Sequence, residues 1–231
     1  DDIVALGPDG ACLKETVIQP GTPEMQSFAN WFSYYRKRHL ALRSGMGQAF
    51  RDLSGMRVGI FTINSRNNVT MRSIEEPTGR TQFYNQLYSI DGNRGGTPNR
   101  EALLHLGGQF RRTDSGAPVT LECQKNFGLL FTDGFSVPSE LDVENVDGED
   151  GVPYADDYAS TIADIARQLF KDRLRPDLPA GQVAVPIGCN ASDPDPILDC
   201  NRDLHVNTFT VGLGSIGTIF GVTHQSVVDA Y

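Results

Sequence analysis

An α/β fold, a mainly parallel sheet with helices on both faces, is what the sequence predicts, and three observations predict it. Apolar runs rich in β-branched and aromatic residues at 56–63, 125–132 and 205–213 read as buried strands. Helical periodicity lies between and around them, with steps of three and four from Met25 to Leu53 and again from Tyr158 to Phe170. Strands that alternate with helices need crossover connections, which leave the strands parallel and the helices on the sheet faces.

Each element has a local reason. Thr22-Pro23-Glu24 combines an N-cap, a proline at the first helical position and an acid in the first turn, so a long helix is expected to follow a 1–22 N-terminal extension. Its stripe, Met25, Phe28, Phe32, Tyr35, His39, Leu42, Met46, Ala49 and Leu53, places His39 among core positions rather than ligands. Ser54-Gly55 ends the helix and the 56–63 strand begins. Residues 64–79 are polar and turn-rich, a short helix is expected at 83–90, and Thr97-Pro98 repeats the cap-plus-proline signal for a helix to about Arg112.

The 125–132 run is short enough to be a central strand and ends in Asp133-Gly134. Residues 136–157 carry eight acids punctuated by Gly and Pro, the composition of an exposed acidic insertion. After the 158–170 helix comes a loop at 186–203, and the 205–213 strand closes the pattern. The whole, 1–231, is expected to be a single domain.

Composition bounds the function. A net charge of −9 argues against general binding to nucleic acid, which needs clustered Lys and Arg to displace counterions. Arg36-Lys37-Arg38 and Arg111-Arg112 therefore read as solvated helix faces. No stretch approaches the roughly 18–20 apolar residues of a membrane span. Asp1-Asp2-Ile3 has neither an initiator Met nor the zones of a signal peptide, so a processed or excised piece of a longer protein is expected.

Four cysteines, Cys12, Cys123, Cys189 and Cys200, lack the C-x-x-C spacing of zinc or redox sites, and their even number suits an oxidising compartment. Cys189 and Cys200 flank a loop rich in Asp, Pro and Asn, whose closure removes unfolded-state freedom, so this pairing is favoured. Cys12 with Cys123 then follows by elimination. The competing reading is four buried thiols in a reducing compartment.

Two polar residues stand at element boundaries, Thr97 after Gly95-Gly96 and Asp133 at the end of F-T-D-G. In a parallel sheet both would share one rim, where a hydroxyl and a carboxylate can help hold a hard divalent cation. Equally, Thr97 is explained as an N-cap and Asp133 as a turn residue. The acidic loop with Asp142, Glu144, Asn145, Asp147 and Glu149 lacks EF-hand order and reads as a solvated loop more readily than as a calcium site. Gly212-Leu213-Gly214-Ser215-Ile216-Gly217 matches the dinucleotide fingerprint, but too few residues follow for the crossover helix, second strand and acidic ribose ligand; it reads as a glycine-rich turn. Ser215 is no nucleophile elbow, since Leu213 stands where glycine is required.

Five short segments occur in order: F-A-N-W-F-S-Y-Y-R-K-R at 28–38, G-G-T-P at 95–98, C-Q-K-N-F at 123–127 running into L-L-F-T-D-G, N-V-D-G at 145–148 and T-F-T-V-G-L-G at 208–214. Together they resemble the von Willebrand factor A-type domain of the PilC/PilY group of type IV pilus tip adhesins. The resemblance implies a Rossmann-like fold and a binding rather than catalytic role in pilus biogenesis and adhesion. It implies a place at the pilus tip or outer surface, reached through the periplasm. Minor pilins or other tip components, the remainder of the same adhesin, or a host or abiotic surface are the implied partners. It also implies that Thr97 and Asp133 belong to a metal-ion-dependent adhesion site for Mg2+ or Ca2+. The Asp-x-Ser-x-Ser ligands of that site are missing from residues 1–27, and the faint likeness at Asp52-Leu53-Ser54 lies after the helix. Coordination within this chain is accordingly expected to be incomplete. The alternatives are a secreted A-type matrix-binding domain unrelated to pili and a nucleotide-binding α/β enzyme.

Overall fold

The computed structural model describes residues 16–92, 95–132, 136–137, 139–151 and 155–213, with the backbone of Ile3–Leu6 and Cys12–Lys14. Asp133 and 214–217 of the glycine-rich turn lie outside the described residues. In chain order the elements are β1 (Ile3–Leu6) and β2 (Cys12–Lys14), which pair antiparallel, α1 (Pro23–Tyr34), α2 (Arg38–Ala49), β3 (Arg57–Val58), β4 (Arg72–Ser73), α3 (Pro77–Ser89), α4 (Asn99–Phe110), β5 (Asn126–Thr132), α5 (Ile162–Lys171) and β6 (Val206–Gly212).

The expected parallel pairing is present between β5 and β6. They run in register from Asn126 opposite Val206 to Thr132 opposite Gly212, and the Leu213 amide closes the ladder on the Thr132 carbonyl at 2.9 Å. The crossover between them carries α5, whose Thr161 forms a capping box with Asp164, each side chain accepting the other residue's backbone amide. On one face Leu130 and Val206 are buried, and Val206 joins Leu103 and Leu106 of α4 and Ile165 and Leu169 of α5 in the main core. Gly107 lets α4 approach α5, because a Cβ there would collide with the Leu169 side chain.

Three expectations need correction. The wider parallel sheet is not formed among the described residues: β5 and β6 stand as a two-stranded sheet, and the 56–63 run contributes only Arg57 and Val58, paired antiparallel with β4. Nor do helices cover both faces of the pair, since Phe127, Leu129, Phe209 and Val211 are exposed opposite α4 and α5. The single helix expected over 25–53 breaks between Tyr34 and Arg38. There the Tyr35 and Arg36 amides both turn back to the Trp31 carbonyl, and the Arg36 guanidinium takes the Phe32 carbonyl at 2.6 Å.

That break divides the stripe. Thr22 does cap α1, its hydroxyl accepting the Met25 amide at 3.3 Å, but α1 buries no residue and exposes Phe28, Trp31 and Phe32. The second half behaves as expected: Leu42, Met46 and Phe50 pack on Ile74, Phe83 and Leu87 in a second core with α3. His39 is half-buried between these regions.

The acidic insertion is less exposed than its composition suggests. Asp142, Glu144 and Glu149 face solvent, but Val143 and Asp147 are buried, and Leu141 and Val146 pack against the main core. Alternation of apolar with acidic residues lets one side of this segment bury without a strand. Cys189 and Cys200 form the favoured disulfide across the 186–203 loop. Cys123 carries an exposed free thiol, so its pairing with Cys12 is not formed among the described residues, and the side chain of Cys12 lies outside them.

Neighbouring glycines of α4 provide a test of the α4–α5 contact. Gly108→Ala, with nothing within 4 Å of the added methyl, should stabilise the protein by roughly 0.5–1 kcal/mol through helix propensity. Gly107→Ala should destabilise it by about 1–3 kcal/mol, because Leu169 is fully buried and cannot yield. Urea denaturation of both variants measures the difference, and similar effects at the two positions would show that α4 and α5 do not pack at this distance.

Candidate functional site

Strand ends, not strand interiors, gather polar groups in parallel sheets, because the crossover loops converge there. At the carboxyl end of β5 the chain leaves Thr132, and its continuation at Ser136 and Val137 returns to the start of α4. The Val137 amide donates to the Thr97 carbonyl at 3.0 Å, and the Arg100 amide reaches Ser136 Oγ at 3.4 Å. A Cβ on Gly96 would lie 2.8 Å from Val137 Cγ1, and one on Gly95 would press on the Asn64 side chain, so both glycines permit this close approach. Arg100 then fastens the segment, with its guanidinium on the carbonyls of Ser139 at 3.1 Å and Ser160 at 3.0 Å.

Thr97 is thus half-buried beside the segment that follows β5. It does not cap α4: Pro98 occupies the N-cap position, without a side-chain cap bond. Among the described residues no three His, Cys, Asp or Glu side chains converge to hold a metal. The described part of the rim supplies the Thr97 and Ser136 hydroxyls, and its fit to a divalent cation rests on Asp133, outside the described residues.

A groove of about 1560 Å3 opens from this rim along the edge of β5 that no described strand pairs. One wall is residues 125–132 and the other is the extended stretch 55–64. Leu103 and Leu106 of α4 line it from the main core, while Leu42, Met46 and Leu87 line it from the second core. His39 stands at its margin, its pKa pushed below the ordinary imidazole value by burial first and then by Arg43 and Lys37, against the opposing charge of Asp91. The bare side of β5–β6 adds further apolar surface, with Phe127 60% and Phe209 56% exposed and their rings 6.3 Å apart.

Periodicity found the apolar character of these segments but not that they would be uncovered. A parallel strand pair is ordinarily buried on both faces, so a bare face beside an unfilled groove is surface suited to a further polypeptide segment or a binding partner. A further polar cluster is structural: His205 Nε2 and Asn207 Nδ2 both meet Asp199 Oδ2, at 3.0 and 2.9 Å, next to the disulfide. Asp199 is itself raised by burial but held on balance below the usual carboxylate range by Asn207 and His205.

These surfaces occur on a chain similar to type IV pilus biogenesis factors. The relatives are proteins named type IV pilus biogenesis factor PilY1 from Pseudomonas aeruginosa. That of strain PAO1 is 29% identical over 244 residues, which cover 88% of this chain and 21% of the relative. That of strain PAK is 28% identical over 231 residues, 84% of this chain and 20% of the relative. That of strain UCBPP-PA14 is 29% identical over 224 residues, again 84% of this chain. The chain spans about a fifth of the length of these relatives. No protein-family model matches the chain, and no solved structure does. Among the described residues no helix is long and apolar enough to cross a membrane.

The bare strand face gives a direct measurement. Replacing Phe127 and Phe209 together by Ser should lower the fluorescence of a dye specific for apolar surface by about half while changing stability by less than about 1 kcal/mol, since both rings are largely exposed. A large loss of stability would mean that the two rings are covered in solution.

Proposed function

We propose that this chain is an A-type binding module of a type IV pilus tip-associated protein, working by docking a partner and not by catalysis. The observation that carries the proposal is its likeness, over 84–88% of its length, to the pilus biogenesis factors. The apolar groove and the bare strand face support it, because they offer extensive contact area and a free strand edge, which suit recognition of another polypeptide. Partners in this reading are minor pilins or other tip components, the rest of the same adhesin, or a host or abiotic surface. The module works outside the cell, at the pilus tip or outer surface.

Thr97 and Asp133 would help hold a divalent cation, Mg2+ or Ca2+, at the rim, where an open coordination position can accept a partner's carboxylate. Coordination would be completed by groups that this chain does not supply.

In a piliated strain encoding this protein, in-frame deletion of residues 16–213 should abolish surface pili or attachment while the rest of the protein is still exported. Normal piliation and attachment would overturn the proposal. Thr97→Ala with Asp133→Ala should reduce attachment in divalent cation without altering attachment in chelator; equal attachment by variant and parent in both media would remove the rim cation from the mechanism.

A further inference from the structure

Helix α1 is two-sided in sequence, yet neither of its sides is buried. At about 100° per residue, Met25, Phe28, Ala29 and Phe32 fall on one face with Trp31 at its border, and Gln26, Asn30 and Ser33 fall opposite. The polar face closes on itself, Gln26 Nε2 donating to Asn30 Oδ1 at 2.9 Å. The apolar face meets no core: Phe28 is 44%, Trp31 51% and Phe32 47% exposed. Their rings cluster instead with one another, Phe28 lying 5.7 Å from Trp31 and 6.0 Å from Phe32. An aromatic surface of this kind on an otherwise soluble face marks an interaction site.

Charge identifies what it meets. Arg36, Lys37 and Arg38 follow α1 directly and are all exposed, and between residues 23 and 38 the only acid is Glu24, at the far end of the helix. The Arg36 guanidinium lies 3.9 Å over the Phe32 ring, which joins the basic cluster to the aromatic face. A chain of net charge −9 therefore carries a local patch of the opposite sign, and at physiological salt its remaining acids are screened beyond roughly 8–10 Å. Tyr34 and Tyr35, both exposed, border the cluster. Residues 23–35 line no part of the groove beside β5, so this patch is raised, not concave.

We propose that α1 with Arg36, Lys37 and Arg38 forms an interfacial patch that seats this chain on an anionic bilayer surface. Phenylalanine on the inner face, tryptophan and tyrosine at the border and bases beside them match the layers of a bilayer boundary: acyl chains, headgroups and phosphates in turn. A raised aromatic face needs a matching hollow on a rigid partner, whereas a fluid surface yields to it. The helix lies on the membrane and does not cross it, since its 12 residues are far short of a span. This surface is separate from the β5 groove and does not rest on the pilus reading.

Trp31 is the only tryptophan in the chain, so its emission reports on this patch alone. Vesicles of equal parts phosphatidylglycerol and phosphatidylcholine should shift that emission to shorter wavelength and carry the 231-residue chain down on sedimentation. Affinity for them should exceed that for pure phosphatidylcholine vesicles by roughly 10- to 100-fold and fall steeply with added salt. Lys37→Glu should weaken binding by about tenfold or more, and Phe28→Ser should reduce the emission shift. Both positions are exposed, so unchanged circular dichroism is expected of each. The Phe127→Ser, Phe209→Ser variant should bind vesicles as the parent does. An unshifted emission with anionic vesicles, equal binding to both vesicle types, or loss of binding in the Phe127→Ser, Phe209→Ser variant would overturn the proposal. So would an equal shift with soluble poly-glutamate, which would assign the patch to an acidic polypeptide.

Discussion

Everything described in the second half of the molecule depends on the parallel register between β5 and β6. Two strands running the same way cannot be joined by a turn, so some 70 residues must leave the carboxyl end of β5 and re-enter at the start of β6. That excursion holds α5, the acidic loop and the disulfide-closed loop. Its packing in turn requires α4 and α5 to meet closely at Gly107, where the absent side chain is filled by Leu169.

The same register determines what is left open. Because β6 occupies one edge of β5 and the two helices occupy one face, no described strand pairs with the other edge, and the other face exposes phenyl rings. The second core, built on α2 and α3, lies across the groove and does not merge with the first. An inserted strand would bring both cores into one continuous interior and satisfy the β5 edge at once.

Local signals in the sequence were reliable wherever short-range chemistry decides the outcome. The Thr22 hydroxyl caps α1, Pro23 stands at its start, and Cys189 meets Cys200, whereas the helix expected at 83–90 already begins at Pro77. The strands at 126–132 and 206–212 were legible because a long apolar run bounded by polar turns has few alternatives. Periodicity was weaker, since it identifies an apolar stripe without saying what covers it. Phe28, Trp31 and Phe32 share the pattern of Leu42 and Met46, yet the first three are exposed and the latter two are packed. Composition misled in the opposite sense at 136–157, where the charge density hid Val143 and Asp147 from view as buried positions. The Thr97 environment was legible only through topology, because its neighbour Val137 is 40 residues away in sequence.

The acidic loop and the β5 rim are not independent. Arg100, in the first turn of α4, holds Ser139 and Ser160, and Ser160 Oγ in turn donates to the Leu141 carbonyl at 2.8 Å and accepts the Val143 amide at 3.2 Å. Val146 continues the chain of contacts to Asp164 at the head of α5. Ser160 adopts a positive φ of 59° to make this arrangement, a conformation that costs energy for a residue with a side chain and is maintained by the bonds around it. These bonds tie the path of residues 139–146 to the first turn of α4, so the placement of the acidic segment and that of Thr97 are set together.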